Sequence, residues 1–213
     1  MLNIKIIFLI NTFLLFIFSV FFIIYFLKNP HNKIIKFITY FVSSYFLGFV
    51  LFIFRNQISD FFSIVIANTL FATGSLNLYL ATRAIVNLKS KWEFRYCLPV
   101  FIIFMGHYIF TYIDFNIHMR VIIFNLFAMV YTFFSFLFFW KNSSIKYRIF
   151  DKISSIIFLI GSIIFFILSL YSYSINISAY YFSNTDFFLI LPNLYILALN
   201  LWIISLIAYR IKN

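Results

Sequence analysis

Seven apolar runs of close to twenty residues divide this 213-residue chain, and no other feature restricts its fold as tightly. They are Ile6–Leu27, Phe37–Phe54, Phe61–Leu80, Cys97–Ile113, Val121–Trp140, Ile153–Tyr171 and Phe187–Tyr209. About twenty apolar residues in helical form cross the hydrocarbon layer of a bilayer. In lipid each segment must satisfy its own backbone polar groups, which leaves helices or a closed barrel. Barrel strands would read as alternating stretches of about ten residues, whereas these runs are apolar throughout. The expected fold is all-α: one polytopic bundle of seven transmembrane helices, with no soluble domain. No polar segment approaches the roughly fifty residues that a separate domain needs. The first run exceeds the h-region of a signal peptide and no small-x-small site follows it, so it reads as an anchor.

The loops give an orientation. Lys28, Lys33 and Lys36 follow the first run; Arg83, Lys89, Lys91 and Arg95 the third; Lys141, Lys146, Arg148 and Lys152 the fifth; Arg210 and Lys212 the last. That places thirteen of the sixteen basic residues on one side and leaves Lys5, Arg55 and Arg120 on the other. The positive-inside tendency then puts the N-terminus outside and the C-terminus in the cytoplasm, and an even number of crossings would destroy the alternation. The net charge of +11 is thereby assigned to topology and to anionic lipid, not to nucleic acid. The expected location is a bacterial inner membrane, with the bilayer as principal partner. Trp92, Trp140 and Trp202 fall near the predicted cytoplasmic ends, where interfacial aromatic belts form. The Tyr-rich segment Ser172–Asp186 suits the outer interface.

Polar residues inside the runs are the candidate site. On the third run, Asn68, Ala72, Ser75 and Tyr79 form one stripe at helical spacing, and Thr69, Thr73 and Asn77 form its neighbour. Phe62, Ile66, Leu70, Phe71 and Leu78 fall on the other side. The polar face is expected to meet other helices, bonding across them. His107 lies in the fourth run, Asn125 in the fifth, and Asn193 and Asn200 on one face of the seventh. Intramembrane ionisable groups are functional candidates, although a lone histidine is more often a helix contact than a ligand. Arg55, Asp60, Asp114, His118, Arg120 and Asp186 make up the outer rim, either a solvated edge or a collar around a small polar ligand.

The residues give no case for catalysis. There is no Gly-rich phosphate loop, Gly-x-Ser-x-Gly, His-Glu-x-x-His or Cys-x-x-Cys, and the five acids are scattered. Cys97 is the only cysteine, which excludes an internal disulfide. The last run lacks the lysine that a retinal Schiff base needs. No cofactor and no metal are expected.

One segment resembles a known family. "FRNQISDFFSIVIANTLFATGSLNLYLATRAI", residues 54–85, is similar to a recurring stretch in the membrane input domains of bacterial diguanylate cyclases, those with a C-terminal GGDEF domain. There a span ends in Arg and a polar turn; a helix with a central Ala-Asn follows, then Tyr and a basic end. The matching residues here are Arg55, Asp60, Ala67, Asn68, Tyr79 and Arg83. The resemblance implies a sensory input role and favours Arg55, Asp60 and Asn68 as site residues. It implies no cyclase activity, because the sequence ends at Asn213 with no GGDEF segment.

The leading expectation is a non-catalytic sensory module that passes a signal to a cytoplasmic or membrane partner, through the seventh helix with its Pro192. Such a module also allows a homodimer. A small seven-helix transporter is the alternative, opposed by the lack of internal repeats and by the scarcity of Gly/Pro-interrupted helices, only Pro99 and Pro192 falling within runs. A structural subunit of a membrane complex is the third reading.

Overall fold

The computed structural model describes residues 4–88, 91, 93–143, 145–174 and 186–206. Among them the chain forms α1 (Ile4–Lys28), α2 (Lys33–Ile53), α3 (Ala67–Ile85), α4 (Phe94–Tyr112), α5 (Ile117–Lys141), α6 (Arg148–Ser174) and α7 (Asp186–Leu206). A six-residue π-helical turn, Phe61–Ile66, leads directly into α3. The described residues hold no strand beyond an isolated bridge between Arg55 and Ile58. Among the described residues six helices, α1 to α6, are long and apolar enough to cross a bilayer, the π turn counting with α3. In α7 the apolar stretch is Leu194–Ile203, and the end of the seventh run, at Tyr209, lies outside the described residues.

Local chemistry sets the helix ends. The Asn32 carboxamide oxygen accepts from the backbone N–H of Ile34 at 3.0 Å and of Ile35 at 3.2 Å, capping α2. Asn116 does the same for Met119 at 3.0 Å, where α5 begins. Such caps occupy donors that the first turn leaves without partners. Past α2 and α3 the chain reverses on Asn56 and Asn87, at φ 72° and 61°, a left-handed conformation that asparagine adopts more readily than most residues. α4 starts at Phe94, three residues before the fourth apolar run, because a helix can carry Arg95 and Tyr96 at its interfacial end.

The helices close on themselves. α1 packs on α2, α2 on α3, α3 on α5, α5 on α6, α6 on α7, and α7 returns to α1. α4 lies outside this ring against α3 and α5. α5 and α6 make the most extensive pair. The Ile-rich outer face of α6 (Ile153, Ile156, Ile160, Ile163) and that of α1 (Phe13, Ile17, Ile24) are exposed, as lipid-facing surfaces should be.

Aromatic rings seated on glycines hold the helices close. The Phe71 ring of α3 occupies the space a β-carbon on Gly48 of α2 would take. One turn away the exchange reverses: the Tyr45 ring of α2 sits where a β-carbon on Gly74 of α3 would be. Gly161 of α6 receives the ring end of Tyr195 from α7 in the same way. Small residues at helix contacts permit this approach, and in lipid such packing is a main source of helix association.

The C-terminal half of α3 is buried all round. Leu78, expected on its outward side, is covered along with Ser75, Asn77 and Tyr79. The physical reason is position: α2, α4 and α5 all pack on α3, so it has no lipid face there.

Substituting Gly74→Ala is expected to lower stability by about 1–3 kcal/mol, the usual range for overpacking, because the Tyr45 ring has to move. Gly106→Ala should be nearly neutral, since the nearest atom is the flexible Ile123 Cδ1 at 3.3 Å. Thermal unfolding of both variants in one detergent measures the contrast.

Candidate functional site: polar groups inside the bundle

Most polar side chains of the third span turn back on their own helix. Asn68 Nδ2 donates to Ile64 O at 2.7 Å, Thr69 to Val65 O at 2.7 Å, Thr73 to Thr69 O at 2.8 Å, and Asn77 Nδ2 to Thr73 O at 2.8 Å. Ser63 likewise donates to Ser59 O across the π turn. Short polar side chains favour this bond to the carbonyl one turn earlier. Lipid offers these groups nothing else, so the third span carries a polar stripe largely satisfied from within.

Other bonds from α3 do cross between helices. Tyr45 OH and Ser75 Oγ lie 2.9 Å apart and join α2 to α3. Thr82 Oγ1 donates to Ser135 Oγ at 3.2 Å and joins α3 to α5. Both border a region where α2, α3, α5, α6 and α7 converge on a cavity of about 10 Å³. Tyr45, Ser75, Tyr131, Thr132, Ser135 and Tyr195 supply its polar lining, and Leu78, Phe158 and Leu199 part of its apolar lining.

α7 brings unsatisfied polar groups to the interior. The Tyr195 hydroxyl and both polar atoms of the Asn200 amide are buried with no hydrogen-bond partner among the described residues. Asn193 lies on α7, but its side chain is outside the described residues. Trp202, expected in the interfacial belt, is only 2% exposed. Its Nε1 donates to Ser154 Oγ at 2.8 Å, and it packs among Phe139, Phe150 and Phe158. It is a core residue because its face of α7 turns toward α5 and α6. Trp140 is exposed, with Lys152 Nζ 3.6 Å above its ring. Trp92 lies outside the described residues.

A second polar cluster joins α4 to α5. Arg120, placed on the rim by sequence, is buried at 5% exposure. Its Nη1 donates to Thr111 Oγ1 at 3.2 Å, and its guanidinium lies 5.2 Å from the Phe115 ring centre. His107, one turn before Thr111, donates from Nδ1 to Ile103 O at 2.9 Å. A carbonyl can only accept, so this contact fixes the proton on Nδ1. The structure therefore brings His107 and Arg120 into one region. Asn125 is buried further along α5.

Arg55 and Asp60 are not drawn together. Asp60 is exposed, Arg55 lies over the Phe52 ring at 5.8 Å, and no salt bridge joins them among the described residues. His118 is held instead against Ser172 O at 3.0 Å.

At the other end of α3 the structure assembles a group that the sequence did not single out as a site. Arg83 Nη1 donates to Tyr79 OH at 3.2 Å and to Tyr96 OH at 2.6 Å. Its guanidinium faces the rings of Tyr79, Tyr96 and Phe138 at 5.0–5.8 Å. Tyr131 OH donates to Tyr96 O at 2.9 Å and ties α5 to the same point. The spacing of Tyr79 and Arg83, four residues apart on a helix, was the available signal. The partners from α4 and α5 had none.

Compared with protein-family models, curated proteins and solved structures, the chain matches none.

Asn200→Leu is expected to raise stability by about 1–3 kcal/mol, because it removes a buried amide that lacks partners. Asn77→Leu, which breaks a bond to Thr73 O, should not stabilise. Melting temperatures in lipid nanodiscs decide it; a loss on Asn200→Leu would mean that the amide is bonded in the membrane.

Proposed function

We propose that this chain is a sensory input module of a bacterial inner membrane, crossing seven times with its N-terminus outside and its C-terminus in the cytoplasm. One observation carries the reading: polar side chains from α2, α3, α5 and α7 converge on a single cavity inside the bundle. A change at that point reaches α7 directly, and α7 packs on both α6 and α1. The bias of basic residues supports the orientation. The likeness of residues 54–85 to GGDEF-associated input domains supports the sensory role. In this reading the signal acts on the polar interior or on the bilayer around it. The output is a shift of α7 read by a cytoplasmic or membrane partner, with a second copy of the chain as one such partner.

The test is a fusion of the full chain, through its C-terminus, to a diguanylate cyclase output domain in a host lacking its own. Ser75→Ala and Tyr45→Phe should each change cyclic-di-GMP by several-fold at equal membrane levels. Unchanged output from both, with solute uptake by proteoliposomes of the unfused chain, would replace this reading with transport.

A further inference from the structure

We propose that the cavity between Tyr45, Ser75, Thr132 and Tyr195 is a binding site for a single water molecule, which bridges α7 to α2 and α5. The volume fits: about 10 Å³ is free, close to the least room that one water requires. The chemistry fits as well. Ser75 Oγ donates its proton to Phe71 O at 3.0 Å, so Tyr45 is the donor in its bond to Ser75. Thr132 Oγ1 donates to Ala128 O at 2.8 Å. Ser135 Oγ donates to Tyr131 O at 2.9 Å. These hydroxyl protons are all placed, and the oxygens keep lone pairs that accept. The Tyr195 hydroxyl is the opposite case: it lines the same cavity, is buried, and has no hydrogen-bond partner among the described residues.

A water completes this set. It accepts from Tyr195 OH and donates to the oxygens of Tyr45 and Thr132, within the two to four bonds that buried waters make. No charged side chain lines the cavity, so an ion would lie there without the compensation that buried charge demands. The occupant is therefore neutral. Its size is fixed by Tyr195, whose ring end rests on Gly161 and cannot withdraw without separating α7 from α6. This inference does not depend on what the module senses.

The experiment is X-ray hydroxyl-radical footprinting of the full chain in nanodiscs, in which a bound water is activated where it sits and oxidises the side chain beside it. Oxidation at Tyr45 and Tyr195 is expected at least fivefold above that at Phe22 and Phe41, which are fully buried. In Tyr195→Phe the signal at Tyr45 should fall to the level of Phe22. In Tyr45→Phe the signal at Tyr195 should fall likewise, and this arm serves alone if the first variant fails to reach the membrane. Wild-type oxidation no higher than at Phe22 means a dry cavity and overturns the proposal. Oxidation that persists unchanged in the variants assigns the water to other groups and overturns it too.

Discussion

The bundle depends on aromatic rings lying where β-carbons are missing. In water, burying such rings would itself drive association, but lipid is as apolar as they are. What remains is close packing, and packing rewards approach. The reciprocal exchange between α2 and α3 sets the distance, axial register and rotation of that pair, since Phe71 on Gly48 and Tyr45 on Gly74 have to be satisfied together. The same contact brings Tyr45 OH to Ser75. Tyr195 on Gly161 repeats the device between α6 and α7 and carries a second hydroxyl to the interior. Packing and polarity are thus delivered by the same side chains.

That coupling explains what could be read from one sequence and what could not. Lipid would force every span to be a helix of known length, so apolar runs alone locate six helices long and apolar enough to cross, to within a few residues of their ends. The polar stripe on the third span was legible too, but its partners were not. Asn68, Thr69, Thr73 and Asn77 bond carbonyls one turn back, an option open to any such residue and invisible in periodicity. Bonds between helices depend on which faces meet, and that was set by glycines whose ring partners lie elsewhere in the chain.

Two residues show the limit. Trp202 and Arg120 each sit near the end of an apolar run, where an interfacial role is the natural expectation. Both are buried. Depth along the membrane normal follows from sequence position, whereas depth toward the bundle axis follows from packing. For α7, packing against α5 and α6 holds the tryptophan inward. For Arg120, the neighbouring Thr111 of α4 gave its charge a hydrogen-bond acceptor.

The π turn before α3 has a consequence for how the chain tolerates changes in length. A π turn holds one residue more per turn than an α turn, so Phe61–Ile66 is a local surplus in the winding of the third span. Removing one residue there would let the turn relax to α geometry while Ser75, Asn77 and Tyr79 keep their directions. The same deletion after Ala67 would rotate everything downstream by about 100°, carrying Gly74 away from Tyr45. A slack turn above and a locked contact below divide one helix into a part that absorbs length variation and a part that cannot.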